Sequence, residues 1–115
     1  MPKTKDTYTF KEAAGCRIKA DVYPADGGRA GPAIFWLHGG ALIGGWRGDI
    51  AAQQRRLYTA AGYTVVSVDY RLAPETKLAA IIEDLQDAYR WMSCEGPGLF
   101  GIDPARVATV GHSAG

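Results

Sequence analysis

Three stretches of the chain are apolar without alternation: Ala33-Ile34-Phe35-Trp36-Leu37, Val65-Val66-Ser67-Val68 and, more weakly, Val107-Ala108-Thr109-Val110. A strand with one wet face alternates with period two. A run that does not alternate fits a strand covered on both faces, as parallel strands are beneath helices. Helical segments lie between the runs. Asp49 can cap a helix from about Ile50 to Ala61, with Gly62 suited to the left-handed position that follows. Leu78, Ile81, Ile82, Leu85, Ala88, Tyr89 and Met92 recur at three- and four-residue spacing, with Glu83, Asp84 and Asp87 mostly off that face. Gly96-Pro97-Gly98 breaks that pattern. Strand, helix, strand, helix, strand is a βαβαβ unit, which right-handed crossovers place in one parallel sheet.

The N-terminal part differs. Cys16, Ile18, Ala20 and Val22 alternate with Arg17, Lys19 and Asp21, the pattern of a half-exposed strand. Tyr8 to Glu12 reads as its antiparallel partner, turned through Ala14-Gly15; Pro24 ends the second strand and Asp26-Gly27-Gly28 turns the chain. The predicted class is therefore α/β, a hairpin followed by βαβαβ. At 115 residues, 47% hydrophobic and 22% charged, the chain suits one small soluble domain and neither a disordered tail nor a membrane bundle. Thirteen basic against twelve acidic side chains leave no excess to neutralise a phosphate backbone, so nucleic acid is not an expected partner. Cys16 and Cys94 lack the paired spacing of a zinc site and cannot build a disulfide framework, so two free thiols and no metal are expected. The opening MPKTKDTYTF has no apolar core of a secretory signal, and no run approaches a membrane span; a cytoplasmic location is the expectation.

Two glycine-rich segments carry chemistry. Gly111-His112-Ser113-Ala114-Gly115 is a G-x-S-x-G pentapeptide directly after the strand predicted at Arg106 to Val110. A nucleophile elbow needs that context: a sharp strand-to-helix turn holds the serine in a strained conformation, and glycines two before and two after let the backbones approach. His38-Gly39-Gly40-Ala41 follows the strand Ala33 to Leu37. Backbone N–H groups of such a loop can stabilise the negative oxygen that develops in acyl transfer, together with the N–H of the residue after the nucleophile. The donors predicted are Gly40, with Ala41, and Ala114. Neither GxGxxG nor GxxxxGK[ST] is present, which argues against phosphate binding by these glycines. The two motifs end separate strands 75 residues apart, and their order makes each more specific.

The stretches HGGALIGGWRGD, VVSVDYRLAPE, IIEDLQDAYRWM and GIDPARVATVGHSAG resemble the N-terminal half of an α/β-hydrolase, more narrowly the hormone-sensitive-lipase-like esterases and the related feruloyl-esterase-like and formamidase-like hydrolases. The resemblance runs from about residue 16 to 115. It implies a serine hydrolase of small carboxylic esters without cofactor. Ser113 matches the nucleophile, Gly39 and Gly40 the oxyanion loop, and Ala114 the donor after the serine. Ala41 stands where these esterases usually have a third glycine, a change that keeps the N–H and narrows the loop. In this fold the acid and the histidine follow the nucleophile. The expectation is therefore that residues 1–115 are a partial hydrolase domain, cut at the elbow and inactive alone.

In the family the histidine at the position of His38 supports loop geometry, and His38 is also a candidate for the substrate pocket. His112 either lines the pocket or packs beneath the elbow. Trp46 is a pocket wall or a surface aromatic. Asp69 and Arg71 read as a buried ion pair or loop anchor, and Asp103-Pro104 as a turn. An amide hydrolase of formamidase or peptidase type, and a hydrolase-fold protein that binds ligand without catalysis, are the rival functions. Oligomeric state is not legible.

Overall fold

The computed structural model describes residues 5–27 and 31–115. The N-terminal alternation becomes an antiparallel hairpin of β1 (Asp6–Ala13) and β2 (Cys16–Tyr23), with Tyr8 opposite Ala20 and Ala13 opposite Cys16. The connecting pair, Ala14-Gly15, has φ of 50° and 77°. Both residues are left-handed, as a two-residue turn matching the strand twist requires. Glycine takes that conformation freely; alanine does not, and asparagine tolerates it better. Ala14→Asn is expected to stabilise the protein by about 1 kcal/mol, read as a higher urea midpoint at unchanged slope. A midpoint that stays put would show that strain at Ala14 is negligible.

The apolar runs become β3 (Gly31–Leu37), β4 (Thr64–Val68) and the second half of β5 (Ile102–Gly111). They join the hairpin in one five-stranded sheet of order β1-β2-β4-β3-β5. β2 meets β4 antiparallel, whereas β4–β3 and β3–β5 are parallel. Two helices, α1 (Ala52–Ala60) and α2 (Leu78–Phe100), supply the crossovers. Ala33, Phe35, Leu37, Val66 and Val68 form one core with Ala88 and Met92 of α2. Ile34, Trp36 and Val65 form a second with Ile50 and Tyr58, beside α1. The helices thus lie on opposite faces of the sheet, which explains why β3 and β4 do not alternate.

Several local expectations need correction. β2 is not half-exposed: it lies between β1 and β4, and Asp21 is fully buried. Asp49 does not cap α1; its carboxylate accepts the Trp46 N–H at 3.1 Å, closing a short 3-10 turn at Arg47–Asp49, and α1 begins three residues later. α2 continues through Gly96-Pro97-Gly98 to Phe100 and ends where Gly101, at φ 70°, donates to the Gly96 carbonyl. Tertiary packing offsets the breaker signal here. Phe100 joins Tyr8 and Trp91 in an aromatic cluster, and a β-carbon at Gly96 would press on Ile102. Asp84 sits on the buried face of α2, not off it. Asp103-Pro104 lies within β5, yet keeps its turn character: Gly31 pairs with Ile102 and Ala33 with Val107, and Asp103 accepts the Ala105 N–H at 3.0 Å across the extra residues. Gly28 of the expected Asp26–Gly28 turn lies outside the described residues.

Candidate active site

Parallel pairing delivers two loops to one edge of the sheet. Leu37 ends β3 opposite Gly111 at the end of β5, and the His112 N–H donates to the Leu37 carbonyl at 3.0 Å. The His38–Ala41 loop and the Gly111–Gly115 turn therefore leave the sheet side by side. Gly115 donates to the His112 carbonyl at 3.0 Å, which closes the turn around Ser113.

Ser113 has φ 54°, and its side chain is exposed. A non-glycine residue held there costs on the order of 1–3 kcal/mol and persists only where the surroundings force it. The glycines do the forcing. A β-carbon at Gly111 would run into the backbone of Gly115, and one at Gly115 into the carbonyls of Leu37 and His38. At Gly39 it would sit 2.8 Å from the His112 carbonyl oxygen and 3.1 Å from the β-carbon of Ser113. The loop after β3 and the serine turn are thus in backbone contact, with no room for a side chain between them.

The loop itself is strained. Gly40 has φ 124°, Ala41 57°, Leu42 65° and Gly45 87°. Ile43 and Gly44 fold back on the Gly40 carbonyl at 3.0 and 2.9 Å. Among the described residues, none accepts from the N–H groups of Gly39, Gly40, Ala41 or Ala114. Backbone donors near an exposed serine and without partners are what a developing oxyanion needs.

The two histidines behave differently. His38 is fully buried, stacked on Tyr70 with ring centroids 4.2 Å apart and planes at 1°. Its Nδ1–H donates to the Gly39 carbonyl at 2.7 Å, and Nε2 has no hydrogen-bond partner among the described residues. That ring is walled away from solvent. His112 is exposed, and its Cδ2 lies 3.2 Å from where a β-carbon on Gly39 would sit. Trp46 is 51% exposed, covers Gly48 and stacks under the Arg47 guanidinium at 5.1 Å. It lines a cleft of about 370 Å³ with Gly45, Tyr70 and Leu72, whose walls do not include Ser113.

Asp69 and Arg71 both form ion pairs, but not with each other. Asp69 takes Arg47, whose Nη1 donates to Oδ2 at 2.6 Å and whose backbone N–H donates to Oδ1 at 2.8 Å. The Arg47 Nε donates to buried Asp21 at 3.0 Å. Burial works against the Arg47 charge, and hydrogen bonds to Asp21 and Asp69 outweigh it, so the guanidinium is held even more firmly protonated than usual. Arg71 pairs with Asp84. Sequence reasoning missed Tyr70, whose hydroxyl donates to the His38 carbonyl at 2.7 Å. Burial pushes that hydroxyl up from its ordinary pKa, so it stays a donor. A tyrosine next to Asp69 at the end of a buried strand was the available signal. Among the described residues no three metal-ligating side chains cluster, and no helix is long and apolar enough to cross a membrane.

The sheet order, the crossovers and the strained serine turn define the N-terminal part of an α/β-hydrolase. The profile of the alpha/beta hydrolase fold family matches residues 34–115, and the chain belongs to that family. It is similar to the non-reducing polyketide synthase pkbA of Emericella nidulans, 35% identical over 119 residues, covering 96% of this chain and 5% of that protein. It is also similar to an ethyl acetate hydrolase of Pseudomonas putida, 38% identical over 86 residues, covering 75% of this chain and 27% of that enzyme. Among solved structures, the esterase Est2 of Thermogutta terrifontis superposes with a TM-score of 0.86 at 22% identity, over 97% of this chain and 41% of that one, a likeness of fold. The chain thus spans about a quarter of the curated esterase and a far smaller share of the synthase.

Proposed function

We propose that the protein carrying this sequence is a serine hydrolase of small carboxylic esters, with Ser113 as its nucleophile. The observation that carries the reading is Ser113 at φ 54°, exposed on a turn whose glycines leave no space for β-carbons. Ser113 Oγ attacks the ester carbonyl, and its proton passes to a histidine supplied by residues after Gly115. The carbonyl oxygen becomes an oxyanion against the N–H groups of Gly40, Ala41 and Ala114. The protonated histidine gives its proton to the leaving alkoxide as the C–O bond breaks. Water, deprotonated by the same histidine, attacks the acyl-serine, and the acid departs as Oγ is reprotonated.

Neither histidine present suits the role of base. His38 is enclosed and already donates to Gly39, and His112 adjoins Ser113 on the turn, where neighbouring side chains diverge. Residues 1–115 alone are therefore inactive in this reading. A fluorophosphonate probe tests the nucleophile: one adduct on Ser113, located by mass spectrometry of the full-length protein and blocked by p-nitrophenyl acetate, is expected. Labelling confined to Ser93, or none, would remove Ser113 from the reaction. The similarity to polyketide synthases favours a second setting for the same chemistry, an acyl-transfer module within a larger synthase. Faster turnover of a β-ketoacyl thioester than of the aryl ester would favour it.

A further inference from the structure

The loop that bears Gly39, Gly40 and Ala41 makes its sharpest bends at positive φ, two of them at non-glycine residues. Nothing in the local chemistry of Ala41 and Leu42 favours that conformation. Something outside the loop must hold it: the Ala73 N–H donates to the Leu42 carbonyl at 2.8 Å, and both ends of the loop meet the short segment at the end of β4. At the entry, the Tyr70 hydroxyl donates to the His38 carbonyl at 2.7 Å, and its ring lies flat on the His38 imidazole. At the exit, Asp69 accepts the Arg47 N–H and guanidinium, while the Ser67 hydroxyl donates to the Arg47 carbonyl at 2.6 Å. Ser67 belongs to β4, and Asp69 and Tyr70 follow it directly. These groups are anchored in turn: Ser67 and Tyr70 are buried, and Arg47 is also held by Asp21 on β2.

We infer that Asp69 and Tyr70 are positioning residues for the reaction, a two-point clamp that keeps the loop strained with its N–H donors turned toward Ser113. The inference rests on the proposed serine hydrolysis and adds two residues to it. Neither touches substrate. Tyr70 controls the His38 carbonyl, which also packs against Gly115, so it fixes the loop and the serine turn together. Asp69 shares the far end with Ser67 and Asp21, so weakening its hold on Arg47 loosens the positive-φ stretch without freeing it. The oxyanion is strongest in the transition state, so a displaced donor lowers kcat and leaves KM little changed.

The test compares Tyr70→Phe and Asp69→Asn with wild type in the full-length protein, by ester kinetics and by amide hydrogen exchange. Tyr70→Phe keeps the ring stack and loses one hydroxyl; Asp69→Asn keeps shape and loses charge. Each is expected to lower kcat for p-nitrophenyl acetate about 10-fold, a fraction of the ~10²–10³ lost with a whole donor, with KM within about twofold. Amide exchange in 39–45 should accelerate while β3 and β4 stay protected. Wild-type kcat in both variants, or unchanged exchange in the loop, overturns the clamp. So does a fall confined to thermal stability. If the wild type hydrolyses no ester, or Ser113→Ala hydrolyses it equally well, the proposed hydrolysis fails instead, and the role of the clamp in catalysis fails with it.

Discussion

Ser113→Ala is expected to lower kcat on a p-nitrophenyl ester by about 10⁴–10⁶-fold while KM changes only a few-fold. Alanine keeps the β-carbon that Gly39 already accommodates and adds no atom to the turn. The positive φ is enforced by Gly111 and Gly115 on either side, so the turn retains its shape. Only Oγ is lost. In the proposed reaction the N–H groups of Gly40, Ala41 and Ala114 would remain to hold a carbonyl oxygen, so binding is expected to survive where chemistry does not. The measurement is initial rate against substrate concentration, on protein prepared free of wild-type carry-over. Residual activity above about 1% of wild type would assign the nucleophile elsewhere, because loss of a true nucleophile leaves far less.

Features of the fold that depend on near neighbours in sequence were legible. The unalternated runs at Ile34 and Val65 announced strands buried on both faces, and they are. The hairpin through Ala14-Gly15 and the strand before Gly111 followed from period and turn chemistry in the same way. What escaped was charge on buried faces. Asp21 reads as solvent-facing on period alone; it is buried because Arg47, 26 residues on, returns to meet it. Asp84 reads as off the apolar face because its partners, Lys11 and Arg71, lie in other elements. At the candidate site, Ser113, Gly39 and Gly40 stand out through glycine spacing, a local signal. Tyr70 does not: its place after a buried strand marks it only weakly, and its bond to His38 spans 32 residues. The end of α2 departs from its sequence signal for a related reason. Pro97 signals a break locally, whereas the packing of Phe100 on Tyr8 and Trp91 is settled from outside the helix.

Asp84→Ala is expected to cost about 3–5 kcal/mol of stability at pH 7, because it leaves two partly buried cations without their shared carboxylate. Oδ2 of Asp84 accepts from the Arg71 backbone N–H at 2.9 Å and from Nε at 2.8 Å, and Oδ1 accepts from Nη2 at 2.8 Å. The Lys11 ammonium lies 2.8 Å from Oδ1 and also reaches Asp87 and Glu83. Burial alone would raise the Asp84 pKa; the hydrogen bonds from Arg71 and Lys11 reverse that and hold it below the ordinary carboxylate range. A folded pKa below the unfolded value of about 3.9 means full stabilisation above that pH and progressive loss as pH falls through the folded value. The difference between wild type and Asp84→Ala in urea should therefore be large at pH 7 and shrink below about pH 4. Asp84→Asn keeps the volume and should lose less, about 2–3 kcal/mol, as for a hydrogen bond to a charged group. The same pairing ties α2 to Arg71, the residue after Tyr70, so the alanine variant should also loosen the clamp on the loop before Ser113. A cost below about 1 kcal/mol, or one independent of pH, would mean that the cluster only offsets its own desolvation; Ile81, Ala88 and Met92 would then hold α2 to the sheet unaided.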